Sequence, residues 1–342
     1  MKVIIHLGHH KTGSTYLQHC FVGKNEELAK NGVIYPKPHN RYLHNVDSWQ
    51  SILKTVKKYK NKEFYRDKTL LFSCEVLYEF LAYKTKSLND LSNLGVNVEL
   101  IVFSRCPMEY LQSIYGQIVK SPGFSGSIED FLQENNNKID VVENMAKIVD
   151  AADSLHMPVH IYNYSKRKKD LLSLVENHLD VPEGTLRPEQ DNMVINRSLT
   201  PDEVLFARSF NKFLGKKAPK FVSAPLVTNL PNIRAQKIKP EKQVIEEFIM
   251  SMNRDIDNFN KKYGHRFDAY DRLNANDVEG VESPECATLS PQQLEVVASA
   301  VANHLQMQKF PHSVKQFKLK KLKPKFLRAK WKPLMRVYGR DM

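Results

Sequence analysis

The chain has 342 residues, enough for one large domain or two smaller ones with a sizeable core. Hydrophobic residues make up 42% and charged residues 26%, which excludes a disordered chain, and no apolar run reaches membrane-spanning length. The net charge of +13 is concentrated in residues 309–342, with twelve Lys and Arg against one acid; the near-neutral remainder argues against a nucleic-acid-binding face.

In chain order, "KVIIHLG" (2–8) is a short β-branched run ending at Gly8, too brief for a signal peptide. "STYLQHCFVGKNEELAKNG" (14–32) predicts a helix stopped by Gly32. "TLLFSCE" (69–75) is a second buried-strand candidate, followed by the helical "VLYEFLAYK". "NVELIVFSR" (97–105) is a third, and in the helix after it Tyr110, Ile114 and Ile118 recur at helical spacing. "MPVHIYNYS" (157–165) is a fourth, leading into "KKDLLSLVENHLDV". Strands alternating with helices predict an α/β fold: a P-loop-like central parallel sheet with helices on both faces.

From Thr200 the pattern turns helical. "TPDEVLFARSFNKFLG" opens with a Thr cap and Pro in the first turn, and "KPEKQVIEEFIMSMNRDIDNFNKKYG" is a second long helix. The division expected is a domain over 1–270, then an extension over 271–342 made of a linker, a short amphipathic helix and the basic tail. Cys20, Cys74, Cys106 and Cys286 show no C-x-x-C spacing, so neither a disulfide framework nor zinc binding is suggested, and the expected location is cytoplasmic.

The chemistry begins in "HLGHHKTGST" (6–15). A Walker A loop places its lysine after the last glycine, whereas here Lys11 precedes Gly13. A turn of this kind still aims backbone N–H groups and a helix N-terminus at an anion, with Ser14 and Thr15 adding hydroxyls. The ligand expected is a phosphate whose distal group lies near Lys11.

In "LGHHKTGSTYLQ" the chain resembles the sulfotransferases that use 3′-phosphoadenosine 5′-phosphosulfate, whose loop reads strand, K-[TS]-G-[ST]-T, helix. The second signature of that family, an Arg at a strand end with a Ser eight residues on, is matched by Arg105 and Ser113 in "IVFSRCPMEYLQSIY". "INRSLTPDEVLFARSFNKF" is also similar to bacterial carbohydrate sulfotransferases. The resemblance covers residues 1 to about 265. It implies a 5′-phosphosulfate loop of His10, Lys11, Thr12, Gly13, Ser14 and Thr15. It implies a 3′-phosphate grip by Arg105 and Ser113, with Arg197 a further contact for which capping and surface charge compete. The implied reaction is transfer of a sulfuryl group to a carbohydrate hydroxyl on a polysaccharide or glycolipid.

Such transfer needs in-line positioning, neutralisation of the leaving group and a base. Lys11 is placed to neutralise the leaving group. Glu75, ending the second strand, and His44, in the Pro-rich "YPKPHNRYLHN", are the two candidate bases. The resemblance favours Glu75 and leaves His44 as an acceptor contact. His9 and His10 read as spacers lining the cleft, and His6 as a satisfied core residue. Motifs such as H-E-x-x-H are absent, so no metal is implied. A P-loop nucleotide kinase and a non-catalytic glycan- or membrane-binding protein are the alternatives. In the tail, Phe326, Leu327, Trp331, Leu334, Met335 and Tyr338 recur near helical spacing among basic residues. That pattern fits an anionic membrane interface at its inner face, packing on the protein itself or a partner subunit, or binding of an acidic glycan.

Overall fold

The computed structural model describes residues 1–9, 12–36, 44–46, 48–134, 139–188 and 197–309. His10, Lys11 and the basic tail beyond residue 309 lie outside the described residues. The chain divides into two compact units. One comprises Met1–Tyr110, Asp140–Met193 and Ile249–Leu273; the other Leu111–Ile139, Val194–Phe248 and Asn274–Met342.

The first unit holds a five-stranded sheet of β1 (Lys2–Gly8), β2 (Val33–Ile34), β3 (Thr69–Ser73), β4 (Asn97–Ser104) and β5 (Val159–Asn163). Every pairing is parallel and the spatial order is β2-β3-β1-β4-β5. This is the α/β architecture expected from the alternating pattern. β1 is central, with β2 and β3 on one side and β4 and β5 on the other. Open α/β sheets place ligands at such a switch point, outside the carboxyl ends of the strands.

The strands read as near-continuous apolar runs because both faces are covered. On one face Ile4, Leu71, Ile101 and Phe103 pack against Leu17 and Phe21 of helix Ser14–Gly23 and Leu171 and Val175 of helix Leu171–Leu179. The alternate side chains Val3, Ile5, Leu7, Leu70, Phe72, Leu100 and Val102 are fully buried on the other face. Helices Val76–Tyr83 and Val141–Asp153 lie against β1 and β5, and Tyr78 donates its hydroxyl to the Val141 carbonyl at 2.7 Å.

One expectation needs correction, and two elements were not anticipated. The helix over 14–32 is two, Ser14–Gly23 and Asn25–Lys30, because Lys24 leaves helical geometry at φ −108°, ψ 20°. β2 is too short to show alternation in the sequence. Helix Trp49–Lys60 passes without a sequence prediction, although Trp49, Ile52 and Val56 form a buried stripe and Ser48 caps it by accepting from the Ser51 N–H.

β2 pairs with β3 only at Thr69 and Leu70. Beyond it, Asn45 takes over: its side-chain amide donates to the Leu71 carbonyl at 2.7 Å and its oxygen accepts from the Ser73 N–H at 3.0 Å. This clamp holds the 44–46 segment beside the carboxyl end of β3.

The second unit is organised around a buried ion pair. Arg197 meets Glu203 through two contacts of 2.7 and 2.9 Å, and Gln293 of helix Pro291–Lys309 donates to Glu203 at 2.7 Å. Thr200 and Glu203 form the reciprocal cap of helix Pro201–Leu214 that the Thr-Pro signal foretold.

Candidate functional site

β1 ends at Gly8 because the chain must fold back tightly there. A Cβ at Gly8 would fall 2.1 Å from Ser14 Oγ and 3.3 Å from Thr12 Oγ1. Thr12 closes the turn by donating its hydroxyl to the His9 carbonyl at 2.8 Å. Gly13 then adopts φ 76°, a left-handed geometry that a side chain disfavours, and caps helix Ser14–Gly23. The first N–H groups of a helix have no intrahelical partner, so this turn presents donors and a positive dipole end beside the central strand. Ser14 Oγ is buried there with no hydrogen-bond partner among the described residues. A polar atom so placed calls for a ligand or water. Thr15 is exposed on the same first turn.

The neighbouring strand ends complete this edge. Arg105 follows β4, half-buried, and its Nε donates to Glu109 at 3.1 Å. Tyr164 follows β5 and stands between loop and arginine. A Cβ at Gly13 would lie 3.4 Å from its hydroxyl oxygen. Burial raises the Tyr164 pKa, the Arg105 charge lowers it and Glu109 raises it again. Tyr164 was not singled out in the sequence. The Asn-Tyr-Ser run ending the strand is its only signal, since Asn163 accepts from the Ser165 N–H at 3.1 Å and turns the chain there.

Glu75 sits at the start of helix Val76–Tyr83, two residues past β3. Its charge reaches His6, the buried histidine of β1. Burial drives the His6 pKa down to about 4, with Glu75 opposing. His6 Nδ1 shares a 2.9 Å hydrogen bond with Ser73 Oγ, to which Gln18 also donates. Its Nε2 has no partner among the described residues, so the core histidine is satisfied on one side only. The Asn45 clamp puts His44 at this same strand end, half-buried.

Two expectations change. His9 does not line a cleft: it is 1% exposed, its ring edge-on to Tyr78 at 4.3 Å and Tyr110 at 5.9 Å. Arg197 is not available to a phosphate. Nε donates to the Leu230 carbonyl, Nη1 to Ser198 and Glu203, and Nη2 to Leu226 and Glu203, which accounts for all five N–H donors. Ser113 is half-buried in helix Pro107–Lys120 and belongs to the second unit, whereas the loop, Glu75, His44 and Arg105 belong to the first.

No protein-family model matches the chain, and no curated protein sequence does. Among solved structures it is similar to a sulfotransferase from Alicyclobacillus acidocaldarius, at 12% identity and a TM-score of 0.41, covering 75% of this chain and 94% of the other. It is also similar to retinol dehydratase in complex with retinol and PAP, at 11% identity and a TM-score of 0.30, covering 80% and 83%. A further similarity, to retinol dehydratase with androsterone and inactive cofactor PAP, has 9% identity and a TM-score of 0.26, covering 89% and 80%.

Proposed function

We propose that the chain is a sulfotransferase that takes a sulfuryl group from 3′-phosphoadenosine 5′-phosphosulfate (PAPS). The observation that carries this reading is the buried, unpartnered Ser14 hydroxyl beneath the β1 turn, at a helix N-terminus cradled by Gly8. It fits an anionic oxygen bound by the loop. PAPS supplies an activated sulfuryl group, and the loop N–H groups, Ser14 and Thr15 would hold its 5′ end. Lys11, by its position in the sequence, would neutralise charge that develops there on transfer. Arg105 would hold the 3′-phosphate, the guanidinium fork matching phosphate geometry; Ser113 joins it on sequence spacing alone.

Glu75 is our choice of base, accepting the proton of the attacking hydroxyl at its carboxylate, with His44 as an acceptor contact. The acceptor class we infer is a carbohydrate hydroxyl on a polysaccharide or glycolipid, supported by the likeness of residues 195–213 to bacterial carbohydrate sulfotransferases. The basic tail would attach the enzyme to an anionic membrane surface; among the described residues no helix is long and apolar enough to cross one.

The test is calorimetric titration with 3′-phosphoadenosine 5′-phosphate in the absence of magnesium. Binding on the order of −8 kcal/mol, micromolar in Kd, is expected, together with sulfuryl transfer in an acceptor screen. A folded wild-type chain that ignores the nucleotide but binds ATP with magnesium would replace this reading with a kinase.

A further inference from the structure

At the opposite edge of the sheet, where the strands begin, Glu99 of β4, His160 of β5 and His178 of helix Leu171–Leu179 bring one ligand atom each within 4.8 Å of one another. The parallel register puts them on one face. Ile4 pairs with Glu99 and Ile101 with His160, so Lys2, Glu99 and His160 all point to the side covered by helix Leu171–Leu179. His178 Nδ1 lies 2.6 Å from Glu99 Oε1, and His160 Nε2 lies 3.3 Å from that same oxygen. The two imidazole rings are 4.2 Å apart, centroid to centroid.

We propose that Glu99, His160 and His178 form a binding site for a divalent transition-metal ion of the zinc class, which ties β4, β5 and helix Leu171–Leu179 together.

Four features support it. First, two imidazoles and one carboxylate are a donor set that zinc accepts, with a fourth position left for water. Second, tetrahedral ligands at zinc distances stand roughly 3.3 Å apart, which is the His160–Glu99 spacing; the His178–Glu99 pair must open by about 0.7 Å. Third, His178 Nε2 is 2.6 Å from the Tyr162 hydroxyl. When a metal replaces the Nδ1 proton that Glu99 accepts, the ring can carry its hydrogen on Nε2 and donate it to the Tyr162 hydroxyl, the outer hydrogen bond that ligating histidines make. Fourth, Lys2 holds the other carboxylate oxygen, Oε2, at 2.7 Å and donates to the His178 carbonyl at 3.2 Å. It leaves Oε1 as the oxygen that faces the imidazoles. The His160 side chain is 37% exposed, against 11% for Glu99 and 14% for His178, so an ion can enter from solvent past His160.

The experiment uses tag-free, chelator-stripped full-length chain, titrated calorimetrically with Zn²⁺ alone, with thermal unfolding followed in parallel. One equivalent is expected to bind, raising the melting temperature by mass action. His160→Ala and His178→Ala should each weaken binding by 100-fold or more, and Tyr162→Phe by roughly 10-fold. Circular dichroism confirms that each variant is folded, and Glu99→Gln, which keeps the shape of the carboxylate, serves where His178→Ala fails. Absence of binding by folded wild type overturns the proposal. So does stoichiometric binding left intact in the His160→Ala, Glu99→Gln double variant, which would put the ion on other ligands.

Discussion

Arg105 and Arg197 are both arginines that the sequence offers to a phosphate, and their surroundings separate them. Arg105 stands at a strand end and meets the Glu109 carboxylate in the next helical turn, while Arg197 spends every donor inside its own unit. Arg105→Ala should therefore weaken 3′-phosphoadenosine 5′-phosphate binding roughly 100-fold, the scale of charge-assisted hydrogen bonds, with little effect on the unfolding midpoint. Arg197→Leu should do the reverse. It strands Glu203 in the interior and should cost about 3–5 kcal/mol, read by urea unfolding. An unchanged midpoint with weakened nucleotide binding would return Arg197 to the phosphate. For Glu75→Gln the expected result is lost transfer with nucleotide affinity intact; equal transfer by the variant would move the base to His44. The tight geometry of the loop was legible in the sequence because it is local. Gly8, Gly13 and Ser14 act together within one turn, so their spacing exposed them. Arg197 misled because two of its partners, the Leu226 and Leu230 carbonyls, lie a distance along the chain that no motif spans.

At the level of elements, β1 carries both the loop and a titratable core residue. Burial holds His6 neutral in the fold, at about 4 against an unfolded value near 6.5. Because the unfolded chain takes up the proton first, the stabilisation is complete above about pH 6.5. It fades as the pH falls toward 4, by up to about 3 kcal/mol. Urea unfolding across that window should show the decline, and His6→Gln should flatten it; parallel profiles would exclude His6 as the cause. The four longer strands were legible because runs such as "KVIIHLG" are apolar on both faces, within a residue or two of their observed ends. β2 was not, since two residues carry no period. Nor was the Glu99–His160–His178 group, whose members come from three elements and meet only through sheet register.

For the molecule as a whole, charge and fold are segregated. The strongly basic tail lies outside the described residues, while the near-neutral body holds the candidate site. We expect sedimentation with vesicles containing anionic lipid, weakened several-fold for each Lys or Arg of residues 315–340 changed to Gln. Binding indifferent to those changes would assign the tail another role.

The same scale governs whether one copy of the sheet recruits another. β2 stops after two residues, so β3 would run on with an open carbonyl at Leu71 and an open N–H at Ser73, a template for a foreign strand. Asn45 occupies both with a single side-chain amide, where a further residue of β2 would otherwise pair. Its isosteric change to Asp keeps an acceptor for Ser73 but has no N–H for Leu71. One side-chain amide thus covers a strand margin of the kind that otherwise offers itself to intermolecular β-pairing.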